Sequence, residues 1–254
     1  MRKIQIFMLT LVLGMACLGT VTLALAQDAK ATSPNGASIE QTTIGQVQIE
    51  QYLMDHSEEI AMARTAAPES VSRDAEVMVF GRHGFETAVK GKNGFVCIVE
   101  RSWTSAPDPD FWNSKVRTPI CYNAAAAHTF LARNLKRTNL ILAGRTKAQT
   151  DEAIYAAVDK NELPAMEPGA MCYMMSKLGY GGDTAPSVPG FSSHVMFFYS
   201  GLDPATWGAN LPGSPIIAVS DITEHPSEHL TEFAVGVGKW SDGTEVRGRE
   251  DHHH

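Results

Sequence analysis

Apolar positions along the chain fall into three regimes. From Ile4 to about Leu25 they are nearly continuous. From about Val47 to Thr65, and again beyond Tyr122, they recur at helical spacing. Elsewhere they come in short runs, one of which alternates with polar residues in a period of two. Ile49, Leu53, His56, Ile60 and Ala63 share one helical face, which predicts a helix over about Val47 to Thr65. His56 on that stripe reads as a core-edge histidine rather than a ligand. Residues 76–80, 85–90 and 94–99 read as strands. The third is apolar on both faces and is expected at the centre of a sheet. Gly81 to Gly84 and Gly91 to Gly94 supply turns, with Asn93-Gly94 the strongest hairpin signal. Together these segments predict an antiparallel meander.

The stretch from Arg101 to Pro119 carries Pro107, Pro109 and Pro119 and reads as irregular. A helix is expected from about Tyr122 to Ala143, stopped by Gly144. Thr146-Lys147-Ala148-Gln149 matches a capping box, so a second helix starts there. Ile154, Ala157 and Val158 give it an apolar face. The two helices are expected to form a hairpin against the sheet. Residues 170–176, 194–199, 216–219 and 231–237 then return to strand patterns, separated by Pro and Gly. Strands, helices and strands again predict one α+β domain: a mainly antiparallel sheet with the helical hairpin and the N-terminal helix packed on it. There is no internal repeat.

The first regime is not part of that domain. Arg2 and Lys3 precede the apolar run, and Ala24-Leu25-Ala26 fits a small-x-small cleavage site. Residues 1–26 therefore read as a signal peptide, with Gln27 as the new N-terminus. Cys17 lacks the upstream Leu expected of a lipid-attachment site. No later run approaches the roughly 18 apolar residues of a membrane span. Residues 27–46 are polar around Pro34-Asn35-Gly36 and read as a flexible leader; 47–240 form the domain; 241–254 form a C-terminal tail ending in His252-His253-His254. The protein is thus expected outside the cytoplasm, periplasmic or secreted. Cleavage removes two cations and takes the net charge from −7 to −9. That acidic balance argues against nucleic acid and anionic membrane surfaces as partners.

Export also implies an oxidising compartment, where disulfides persist. The mature chain keeps Cys97, Cys121 and Cys172. Three cysteines allow one intramolecular bridge. Cys97 sits in an apolar strand and behaves as a small hydrophobe, so Cys121–Cys172 is the first pairing expected. Three buried thiols are the alternative.

Most catalytic signatures are missing. The chain has no Gly-x-Gly-x-x-Gly, no Ser-x-x-Lys, no Gly-x-Ser-x-Gly and no Cys-x-x-Cys. Gly236-Val237-Gly238-Lys239 imitates a phosphate loop but lacks the upstream Gly and has Trp240 where Ser or Thr would bind magnesium. His225-Pro226-Ser227-Glu228-His229 matches the inverted zinc-protease pattern, but strand-like sequence flanks it and no long helix can hold the pair. Asp108, Asp110 and Asn113 supply oxygens suited to calcium; a capped turn is the favoured reading of them.

One constellation carries more chemistry. Residues 170–176 lead into a Gly- and Pro-rich stretch, Lys177 to Ser193, before the strand from His194. If the flanking strands pair, this is a 17-residue loop, a length usually tied to function. Ser176 and His194 would sit at its two rims. A Ser–His pair activates a hydroxyl nucleophile when a carboxylate such as Asp183 or Asp221 orients the imidazole. Cys172, Met174 and His194 instead offer soft ligands suited to copper. Tyr173 and His83 are further candidates for a small-molecule site at this rim. The structural alternative is that Met and Tyr pack the core, Ser176 ends a strand and His194 bonds to backbone.

The runs Lys92-Asn93-Gly94-Phe95-Val96-Cys97-Ile98-Val99-Glu100-Arg101, Tyr173-Met174-Met175-Ser176 and His194-Val195-Met196-Phe197-Phe198-Tyr199 resemble an uncharacterised family of exported bacterial proteins. The resemblance spans about Ala67 to Trp240. It implies export and a single domain, and no activity or cofactor. Members carry a more His-rich approach to the last motif, such as Trp-His-Pro-His; here Pro189-Gly190-Phe191-Ser192-Ser193-His194 has a single His, which weakens a histidine-based metal site. The reading is an exported α+β module that binds a small molecule or metal near residues 177–194. The alternatives are a Ser/His hydrolase at the same rim, or an envelope interaction module with an exposed apolar patch.

Overall fold

In a computed structural model of the chain, the described residues are 48–105, 110–182, 192–220 and 229–246. They belong to one unit, residues 41–254. The expected signal peptide and the whole leader lie outside the described residues, as do Asp108, Asp183, Asp221 and residues 225–228.

Eight strands form one open sheet among the described residues. They are β1 (Glu76–Gly81), β2 (Gly84–Val89), β3 (Val96–Glu100), β4 (Thr118–Tyr122), β5 (Met171–Met174), β6 (His194–Ser200), β7 (Ile216–Ser220) and β8 (Leu230–Gly236). Their order is β2-β1-β3-β4-β5-β6-β8-β7. The helices are α1 (His56–Arg64), α2 (Glu69–Ser72), α3 (Ser102–Ser105), α4 (Ala124–His128), α5 (Phe130–Leu142) and α6 (Lys147–Asp159), with 3-10 turns at Ile49–Tyr52, Asp110–Trp112 and Pro204–Trp207. The fold is α+β with a mostly antiparallel sheet, as the sequence predicts.

The meander is corrected. β1 and β2 form an antiparallel hairpin, but β3 pairs with β1, in parallel, instead of with β2. β2 exposes Glu86 and Thr87 and holds the edge, while Cys97, Ile98 and Val99 are buried and take β3 inward. Gly91 allows the crossing. A Cβ there would lie 2.2 Å from the Glu76 nitrogen, so only glycine fits against that backbone. Asn93-Gly94 is accordingly part of a crossover, held by Asn93 Nδ2 donating to the Val71 carbonyl at 2.7 Å.

The N-terminal helix is shorter than predicted. Asp55 accepts from the backbone N–H groups of Ser57 and Glu58 and starts α1 afresh after the 3-10 turn. The helix expected from Tyr122 is corrected too. Tyr122 closes β4, Asn123 caps α4 through Ala126 N–H, and the chain kinks at Thr129 before α5. Pro119 sits inside β4, opposite Val99. Its missing N–H is tolerated because β5 reaches only Cys121 and Tyr122 on that side. The capping box is formed: Gln149 N–H donates to Thr146 Oγ1 and Thr146 N–H to Gln149 Oε1. Ile154 and Ala157 pack between α6 and α5.

Two cores flank the sheet. On one face Ile98, Ile120, Tyr122, Cys172, Met174, Met196 and Phe198 meet Phe130 and Leu131 of α5. On the other, Val77, Cys97, Val99 and Cys121 meet Ala63 at the end of α1 and Ala66 and Ala67 just beyond it. Of the residues from 241, those to Val246 are described, with Val246 N–H donating to the Gly238 carbonyl and Ser241 N–H to the Met175 carbonyl, each at 2.9 Å.

Candidate functional site

β5 and β6 do pair, with Met174 opposite His194 and Cys172 opposite Met196. Of the stretch between them, residues 183–191 lie outside the described residues. Directly opposed residues of an antiparallel pair point to the same face. Met174 belongs to the α5-side core, so His194 is on that side. Ser176 turns the other way. Its Oγ lies 2.6 Å from Thr65 Oγ1, at the end of α1.

The proton count fixes what that hydroxyl does. Thr65 donates its one hydroxyl proton to the Met62 carbonyl at 2.6 Å, so Ser176 must donate to Thr65. Ser176 also accepts from the Leu178 N–H at 3.0 Å and is fully buried. His194 Nδ1 bonds to the Ser192 carbonyl at 2.7 Å, and burial lowers its pKa. Ser176 and His194 are therefore not brought together as nucleophile and base.

Cys172, Met174 and His194 do share a face. Burial pushes the Cys172 thiol well above its ordinary pKa, which disfavours the thiolate a metal would need. No group of three His, Cys, Asp or Glu among the described residues is arranged to hold a metal. Tyr173 is on the opposite face, its ring 6.1 Å from that of Phe95. His83 is exposed at the β1–β2 turn. Strands β3, β4 and β5 separate β1 from β6, about 19 Å at the usual strand spacing. His83 is thus no part of the loop rim. Asn113 Nδ2 donates to Asp110 Oδ1 at 2.9 Å, which is a capped turn.

The expected disulfide is corrected. Cys97 is bonded to Cys121, and Cys172 is a buried thiol. Cys97 and Cys121 oppose each other on β3 and β4 and face α1. Cys172 opposes Tyr122 and faces α5. The sheet itself keeps Cys172 from Cys121.

Two polar groupings escaped the sequence reading. The first is sealed. Glu100, Tyr122 and Asn134 are each at most 2% exposed. Tyr122 donates to Glu100 Oε1, and Asn134 Nδ2 donates to the same oxygen at 2.7 Å. Burial raises the Glu100 pKa to about 7. Nearby, Arg101 grips both Glu59 oxygens at 2.9 Å and also donates to the Tyr52 carbonyl at 2.8 Å. These are buried polar networks with their partners in place.

The second grouping is open. A pocket of about 270 Å³ is lined by Arg64, Thr65, Ser72, Arg73, Ser241 and Asp242, among others. It adjoins the start of the 177–193 loop. The Ser176–Thr65 bond lies at its wall, and Lys177 Nζ pairs with Asp242 Oδ2 at 2.6 Å. No periodicity marks these residues; only folding brings 64–73 to 241–242. On the far part of the sheet, Leu211 and Ile217 are exposed apolar side chains. The β7 edge beside them is covered: Ala218 N–H donates to Asn210 Oδ1 at 3.1 Å and Asn210 N–H to the Ile216 carbonyl at 3.0 Å.

No family model, curated protein or solved structure matches this chain.

Proposed function

We propose that this chain is an exported binding module that holds a small molecule in the pocket at the foot of the 177–193 loop. The observation that carries the reading is the pocket itself, about 270 Å³, with cationic, hydroxyl and carboxylate groups converging on it. That is below the roughly 300–1,000 Å³ of drug-sized sites, which suits a metabolite of few atoms. Export is supported by the basic start, apolar run and Ala24-Leu25-Ala26 site, and by a Cys97–Cys121 bridge of the kind that persists in oxidising compartments. The resemblance to exported bacterial proteins belongs to the same reading. The buried, donating Ser176 hydroxyl favours binding over hydrolysis at this rim.

The test is a thermal-shift screen of the protein against small sugars, amino acids and organic acids, run in parallel on Ser241→Trp, which fills the pocket mouth. Stabilisation of the wild type that disappears in Ser241→Trp is the expected result. Stabilisation that survives in the filled variant, or none from any compound, overturns it. N-terminal sequencing of protein recovered from the producing cell's envelope or medium should begin at Gln27.

A further inference from the structure

The charges around the pocket are not equivalent. Two carboxylates line it, and both are engaged. Glu69 Oε1 accepts from Arg73 Nη2 at 2.8 Å and from Arg73 Nε at 3.2 Å. Asp242 pairs with Lys177 and also accepts from the Thr244 N–H and hydroxyl at 3.0 and 2.6 Å. Those bonds hold its carboxyl well below the usual range, so it is an anion throughout the physiological pH range. Each acid thus has its own cation, Arg73 or Lys177.

Arg64 is left over. It ends α1 and lines the pocket, and its Nε is buried with no hydrogen-bond partner among the described residues. No carboxylate of the described residues forms an ion pair with it. A guanidinium is charged at any pH of interest and carries five N–H donors in a planar fork, matched to a carboxylate. The pocket therefore presents one positive charge without a carboxylate partner among the described residues, beside the methyl group of Ala67.

We propose that Arg64 binds the carboxylate of a small monocarboxylic acid, with a short aliphatic part of the ligand against Ala67. This rests on reading the pocket as the ligand site. One net charge matches one carboxylate better than a phosphate dianion.

The experiment is an NMR titration of the isotope-labelled protein with acetate and propionate, their neutral amides acetamide and propionamide, and inorganic phosphate. The carboxylates should shift the Arg64 Nε–H signal and the Thr65 and Ser241 amides saturably, and the amides should not. Arg64→Gln should weaken carboxylate binding about 10- to 100-fold, the usual weight of a charge-assisted, two-pronged contact. Arg64→Lys, which keeps the charge but not the fork, should fall between. Amides that bind as well as acids, in wild type and Arg64→Gln alike, leave the pocket a ligand site and overturn the carboxylate assignment. Phosphate binding more tightly than either acid overturns it as well. No saturable shift at these residues from acetate or propionate overturns the carboxylate assignment, while the thermal-shift screen with Ser241→Trp decides the pocket reading separately. The wild-type titration stands by itself if a variant fails to fold.

Discussion

The Ser176 hydroxyl donates to the hydroxyl of Thr65 across 2.6 Å, tying the exit of β5 to the last turn of α1. This bond commits the one serine that the loop argument had offered as a nucleophile. Its partner Thr65 lines the pocket, so Ser176 braces the pocket from behind rather than lining it. Ser176→Ala should cost about 1–2 kcal/mol, because Thr65 loses its donor and the Leu178 N–H its acceptor. Thr65→Val should cost a similar amount, and the double variant less than the sum of the two. Urea unfolding of the four proteins checks this; full additivity would remove the coupling.

Glu100 makes stability pH-dependent in an unusual direction. Its folded pKa is raised from 4.5 to about 7, chiefly by burial. A raised pKa means the folded state holds the proton more tightly. The stabilisation is complete below about pH 4.5 and is lost as pH rises to about 7, a change of about 3 kcal/mol. Glu100→Gln keeps an oxygen for Tyr122 and Asn134 but cannot ionise. It should flatten this limb and be more stable than wild type at pH 8. Denaturant melts from pH 4 to pH 8 provide the measurement; parallel pH curves for the two proteins would refute it.

The disulfide topology is directly checkable. Mass spectrometry of alkylated, non-reduced peptides should find Cys97 joined to Cys121 and label Cys172 only after denaturation. Cys97→Ala with Cys121→Ala should lower stability by about 2–4 kcal/mol. A peptide joining Cys121 to Cys172 would contradict the face assignment.

The Arg101–Glu59 pair is fully enclosed, with side chains 0% and 1% exposed. Glu59→Ala should cost about 3–5 kcal/mol, since it strands a buried guanidinium and the Phe80 N–H. Loss of folding, or a large drop in melting temperature by calorimetry, is the expected result.

Gly91→Ala should destabilise by about 1–3 kcal/mol, because the new methyl meets the Ala75–Glu76 backbone rather than a mobile side-chain end. Gly144→Ala meets nothing within 4 Å, so its cost comes from its φ of +78° alone and serves as the control.

What the residues announce by themselves is local. The capping box at Thr146, the stop at Gly144 and seven of the strands, β1–β3 and β5–β8, are legible because caps, periodicity and turn residues act within a few positions. β4 was hidden by Pro119, which reads as a loop signal and is tolerated only because β5 stops short of it. The break before α1 was hidden because an apolar stripe continues through Asp55, whose cap overrides the period.

The α+β class and most of its strands were thus determined by the sequence alone, since each rests on short-range patterns. Only the tertiary structure decided that β3 crosses to the far side of β1, that Cys97 takes Cys121, that Ser176 and His194 turn away from each other, and that Arg64 and Ser241 line one pocket. Each of these depends on which strand lies beside which, and on which face a residue points to. A shift of one position in register reverses every such face, and no local pattern sets the register between segments far apart in the chain.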